Sequence, residues 1–171
     1  MNAQREILRD EAEQRGLKLW TVLARAYNAV AAHSRADIAR HDLTVGEFAV
    51  LEALYHKGPL LLGEVQRKVL VSSGGVTYLV DRLVQRGLVE RQPCPTDRRA
   101  AYAALTPEGE ALIGRIFPAH ARAITRAVSG LDENEQAEAI RLLRKLGLAA
   151  AELEPEAAAD DGSAADRGAA D

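Results

Sequence analysis

The sequence predicts a mainly α fold with a small β-wing, a winged helix-turn-helix carried on further helices. Apolar residues recur at helical spacing over most of the chain. Two short helices, the second opened by serines, are joined by only a few residues. They are followed by two alternating segments, LVERQ and AAYAAL, separated by a link with two prolines and a charged end. Composition agrees: hydrophobic residues make up 47% of the 171 residues but aromatics only 4%, which favours small-residue helix packing over a β-sandwich.

From Ile7 to Ile38 the apolar positions follow a helical period, with Gly16 as the interruption. The expectation is a long helix from Leu17 to about His41, with a separate leading turn before Gly16. Its single apolar stripe needs a partner surface. Thr44 and Glu47 read as a capping box for a second helix through about Tyr55, with Val45, Phe48, Ala49, Leu51, Glu52 and Leu54 inward. Gly58 and Pro59 stop it. A short third helix spans Leu61 to Val69, and Ser72 or Ser73 caps a fourth that runs to Gln85 or Arg86. Val76, Leu79, Val80, Leu83 and Val84 face its core, and Gly87 ends it.

Leu88–Gln92 and Ala100–Leu105 then pair as a hairpin whose tip carries Asp97, Arg98 and Arg99. Thr106 caps the next helix with Pro107 at the first-turn position, where a missing amide costs nothing. Pro118 should kink this helix without ending it, because the stripe of Leu112, Ile113, Ile116, Phe117, His120, Ile124 and Val128 resumes beyond it. Asp132 and Glu135 open a last helix. Past Leu153 the composition collapses to Ala, Asp, Gly and Glu, the signature of a disordered tail.

The net charge of −3 conceals a division. Residues 152–171 carry −6, so the remainder carries +3, and residues 57–99 are locally +4. A positive segment on an acidic chain suits an anionic partner. One cysteine, Cys94, rules out an internal disulfide and fits a reducing compartment. No apolar run reaches the length of a membrane span and the first residues are not signal-like, so the expectation is a cytoplasmic protein without membrane association. There is no glycine-rich phosphate loop after a strand and no HExxH, and the four His and one Cys lack metal-ligand spacing. These patterns argue against an enzyme and call for no cofactor and no metal.

The run Ser72-Ser73-Gly74-Gly75-Val76-Thr77, then Asp81-Arg82-Leu83, Gly87-Leu88-Val89, Asp97-Arg98-Arg99 and Leu105-Thr106-Pro107-Glu108-Gly109, resembles the MarR family of bacterial transcription regulators in order and spacing. The resemblance covers roughly residues 17–149. Thr77-Tyr78-Leu79-Val80-Asp81 and Ile116-Phe117-Pro118-Ala119-His120 are similar to the branch that senses quinones and phenolic compounds. It implies a homodimer that reads palindromic double-stranded DNA, one half-site per subunit. The domains would be 1–43, an N-terminal dimerisation helix; 44–106, the winged helix-turn-helix; 107–151, C-terminal dimerisation helices; and 152–171, an acidic tail.

On this reading Ser72, Ser73, Gly74 and Gly75 let the backbone and the helix N-terminus approach DNA, with simple N-capping by the serines as the competing role. Thr77 and Tyr78 reach base edges or phosphates, and Arg82 a phosphate. Lys68, and Arg67 beside it, supply backbone contacts from the preceding helix. At the wing, Arg99 resembles the family arginine that enters the minor groove, Asp97 looks like the residue that orients it, and Arg98 adds phosphate affinity. The family implies a repressor released by a small aromatic or phenolic effector, for which Trp20, Tyr27, His33, Phe48 and His120 are candidate lining residues, each with a packing role as the alternative. Cys94, between prolines and near Arg91, Arg98 and Arg99, is a candidate redox switch or an inert residue. A protein-interaction module of a transcription complex is the alternative from a different class.

Overall fold

A computed structural model describes residues 11–69, 73–94 and 100–153, apart from the side chains of Ser73 and Gly74. In chain order the elements are α1 (Glu11–Ala39), α2 (Val45–Lys57), β1 (Leu60–Leu61), α3 (Leu62–Val69), α4 (Ser73–Gln85), β2 (Val89–Pro93), β3 (Ala101–Leu105), α5 (Pro107–Ala127) and α6 (Glu133–Ala151). The mainly α architecture with a small β-wing is therefore as the sequence predicts. Among the described residues no helix is long and apolar enough to cross a membrane.

Gly16 does not interrupt α1, which is one helix of 29 residues. A Cβ at Gly16 would meet nothing within 4 Å, so the glycine serves no close approach, and its modest propensity cost is absorbed within a long helix. Thr44 and Glu47 form the expected reciprocal capping box: the Glu47 amide donates to Thr44 Oγ1 at 3.2 Å and the Thr44 amide to Glu47 Oε2 at 2.8 Å. Gly58, at φ 73°, ends α2 in the left-handed region that favours glycine.

Leu60 and Leu61 form a strand where the sequence offered no alternation long enough to reveal one. They pair antiparallel with Ala103 and Tyr102, completing a three-stranded sheet in the order β1-β3-β2. The β2–β3 hairpin is in the expected place, with Val89 opposite Leu105 and Pro93 opposite Ala101. Its tip, residues 95–99, lies outside the described residues, as do Leu70 and the tail beyond Leu153.

Two compact units are present, residues 1–130 and 131–171. In the first, Ile38, Leu43, Phe48, Leu51, Leu54, Val65, Val76, Val80, Leu83, Val89, Ile113 and Ile116 form one continuous core. Val45 and Val84, expected inward, are exposed. Val45 is the first residue of α2, and the small side chains of Val30, Ala31 and Ser34 leave an open cleft of about 240 Å³ beside it. In α1 the apolar stripe is unpartnered over Leu17, Leu19, Trp20, Val22 and Tyr27. Pro118 lies inside α5, which continues to Ala127. The second unit contains α6, opened by an Asp132–Glu135 capping box. No residue of α6 is buried, and Ile140, Leu142, Leu143, Leu146 and Leu148 are all exposed.

Candidate nucleic-acid interface

The candidate surface is built on α4. Val76, Val80 and Leu83 are buried along one side, which leaves Thr77, Tyr78 and Asp81 facing solvent. Tyr78 is 60% exposed, its ring facing solvent rather than the core. Arg82 lies one turn on, its guanidinium carbon 5.9 Å from the Tyr78 ring centroid. Gly75 is half-buried, Ser73 and Gly74 open the helix, and Ser72 lies outside the described residues. Lys68 and Arg67 are exposed in the last turn of α3.

Two ion-pair anchors hold α4. Asp81 Oδ1 accepts from Arg91 Nη2 at 2.7 Å, which ties the helix to wing strand β2. On the other side Glu47 Oε1 lies 3.4 Å from Arg82 Nε and 3.3 Å from Arg86 Nη1, which ties it to α2. Arg86 Nη1 also donates to the Asp42 carbonyl at 2.9 Å, in the α1–α2 turn where Asp42 adopts φ 53°. The Glu47 side chain is fully buried. Burial pushes its carboxyl up, but the Thr44 amide and hydroxyl together with Arg82 and Arg86 outweigh this and hold it below the ordinary carboxylate value.

The wing is fastened at its base. Gly87, at φ 69°, turns the chain out of α4. Thr106 Oγ1 donates to the Gly87 carbonyl at 2.7 Å and accepts from the Gly109 amide at 3.0 Å, so one hydroxyl caps α5 and closes the hairpin root. Gly109 is required here, because a Cβ would collide with the Leu88 carbonyl oxygen. Asp97, Arg98 and Arg99 lie outside the described residues. Cys94 is buried at the far end of β2, its amide bonded to the Ala100 carbonyl at 3.2 Å. The thiol group contacts the Tyr102 hydroxyl; the neighbouring Cys94 and their hydrogen bond, with desolvation and Glu64, push that hydroxyl above its ordinary value.

The candidate effector residues divide. Phe48 and His120 are both buried and in tilted ring contact, centroids 4.4 Å apart at 48°. His120 Nδ1 is 3.0 Å from Asp37 Oδ2, so α1, α2 and α5 meet at this point. Tyr27 lines the cleft beside Val45 with Val30, Ala31, Ser34 and Arg35. Trp20 is 66% exposed and His33 is exposed, both outside the Phe48–His120 cluster. Asp37, Arg86 and the ion-pairing role of Glu47 escaped the sequence reading. A long-range partner leaves no local pattern, although the capping box did show that the Glu47 carboxylate is engaged by the fold.

The chain as a whole resembles known proteins. A family model described as MarR family matches residues 41–100, the winged helix-turn-helix itself. The chain is 43% identical over 135 residues to the HTH-type transcriptional regulator MhqR of Bacillus subtilis, covering 79% of this chain and 93% of that one. The chain belongs to the MarR family. The HTH-type regulator YkoM of Bacillus subtilis is 42% identical over 139 residues, covering 81% of this chain and 90% of that one. Among solved structures, that of Bordetella bronchiseptica BpsR, whose DNA binding is regulated by 6-hydroxynicotinic acid, superposes with a TM-score of 0.69 at 32% identity, over 76% of this chain and 98% of BpsR. This MarR family chain is accordingly a DNA-binding transcriptional regulator.

Proposed function

We propose that the protein is a homodimeric repressor that binds a palindromic operator and lets go when a small aromatic or phenolic molecule binds. The observation that carries this reading is the pairing of an outward, doubly anchored α4 with unpartnered apolar faces on α1 and α6. A monomer has no use for Leu17, Leu19, Trp20, Ile140, Leu143 and Leu148 in water. A two-fold partner would cover them and set two α4 helices into successive major grooves. Residues 1–43 and 107–151 then serve dimerisation, 44–106 read the operator, and 152–171 form an acidic appendage.

In the operator complex Thr77 and Tyr78 face the groove, while Lys68 and Arg82 lie against phosphates with the backbone of Ser72, Ser73, Gly74 and Gly75. Arg99 enters the minor groove with Asp97 orienting it and Arg98 adding charge. In this reading the effector binds where α1, α2 and α5 converge at Phe48 and His120, while Tyr27, His33 and Trp20 of α1 lie exposed outside that cluster. BpsR's response to a hydroxylated aromatic acid supports that ligand class.

The test is fluorescence anisotropy on a duplex selected from a randomised library, followed by titration with 6-hydroxynicotinic acid, simple phenols and quinones. Selective, salt-sensitive binding that one of these ligands reverses is expected. Equal affinity for the selected duplex and a shuffled one would reject the operator reading, and indifference to every ligand would reject the aromatic effector.

A further inference from the structure

Glu47 is an unusual residue for its place. It is an acidic side chain with no exposed surface, on α2 rather than on α4, yet both cations it holds belong to α4 or its C-terminal edge. Arg82 presents Nε to Glu47 and still keeps 40% of its side chain in solvent, so its remaining edge is available to an outside anion. The flat guanidinium allows this division, since one edge can pair inward while the other faces out. The Tyr78 ring beside it narrows the choice of rotamer further.

We propose that Glu47 is a positioning residue for DNA binding, holding Arg82 and Arg86 so that the free edge of Arg82 meets an operator phosphate. This rests on α4 being the groove-reading helix, as proposed above. Without the buried carboxylate, Arg82 would swing among solvent rotamers and the ordering cost would fall on the complex. Arg86 extends the same anchor to the Asp42 carbonyl, so the α1–α2 turn and α4 share one buried charge. The sequence marks Glu47 only as the N3 residue of a capping box, a position that Gln also fills. Glutamate at this position supplies the charge that the cap does not need.

That distinction makes the test clean. Glu47→Gln keeps the reciprocal cap and removes the ion pairs. On the duplex selected with the wild-type protein, anisotropy titrations at several salt concentrations should show about tenfold weaker binding. The slope of log affinity against log salt should be shallower by about one phosphate contact. Arg82→Lys provides a second variant should Glu47→Gln fold poorly. Lysine keeps the charge but cannot pair inward and outward together, so it should show the same shallower slope.

Unchanged affinity and slope in both variants would reduce Glu47 to a cap and overturn the proposal. Tighter, steeper binding by Glu47→Gln would overturn it too, since Glu47 would then be withholding the arginines from DNA. The wild-type titration separates the two levels. If the wild-type protein binds no selected duplex, the operator reading and this inference fall together; if it binds and the variants match it, only the inference falls.

Discussion

Asp37 Oδ2 and His120 Nδ1 stand 3.0 Å apart, both side chains nearly out of solvent, and join α1 to α5 across 83 residues of sequence. The ring of Phe48, from α2, packs at a tilt against the same imidazole. Helices α1, α2 and α5 are thereby joined at one buried point.

Removing the imidazole by His120→Ala should leave a buried carboxylate without its partner and a void against Phe48. The expected cost is about 2–4 kcal/mol, read from the urea midpoint. Asp37→Asn keeps an acceptor for Nδ1–H and should cost less. Equal midpoints for wild type and His120→Ala would mean that the pair contributes nothing.

Glu47 gives the fold an acid-sensitive contribution. Its folded-state pKa is lowered from an ordinary value of 4.5, so the unfolded chain takes up the proton first as pH falls. The stabilisation is therefore complete above about pH 4.5 and is lost as pH drops through the lower folded value. Glu47→Gln should cost about 2 kcal/mol at neutral pH and flatten the acid limb of stability against pH. An acid limb identical to wild type would contradict the lowered carboxyl.

Two glycines in helices should behave oppositely. Gly109→Ala forces a methyl group into the Leu88 carbonyl and should destabilise by at least about 2 kcal/mol, measured by thermal and urea unfolding. At Gly16 the added methyl meets open space, and Gly16→Ala should gain up to about 1 kcal/mol.

Arg99→Ala, at the wing tip, should weaken operator binding tenfold or more and reduce the salt slope by about one, with the oligomeric state unchanged. Full-strength binding by this variant would remove the minor-groove role from the wing.

The fold was legible where local chemistry sets it. Thr44 with Glu47, Thr106 with Pro107, and Asp132 with Glu135 each announce a helix start within four residues, and all three caps are formed. Gly58 and Gly87 mark turns for the same local reason. Leu60 and Leu61 were hidden because a two-residue strand has no period and owes its existence to β3, some 40 residues later. Gly16 suggests a break that the structure lacks, because its weak propensity cost is absorbed by the 29-residue helix around it.

At the site, Tyr78 and Thr77 could be found because their neighbours Val76 and Val80 fix the buried side of α4. The anchors Asp81–Arg91 and Glu47–Arg82 could not, since charge counting shows a positive segment without showing which cations are already engaged. The sequence offers Arg82 as a phosphate contact alone, and the structure adds its inward partner. Trp20 and Tyr27 share a helix face in the sequence, but both remain exposed, and only Phe48 and His120 of the effector candidates are brought together.

The most direct test of the central claim is the mass of the protein–DNA complex by sedimentation velocity on the selected duplex, compared with a variant carrying Leu143→Asp and Trp20→Asp. Two chains on one inverted repeat are expected for the wild type, with the variant monomeric and its affinity down at least a hundredfold. A single chain on the duplex, or a monomeric variant that binds as tightly as the wild type, would contradict a regulator that reads its operator as a dimer.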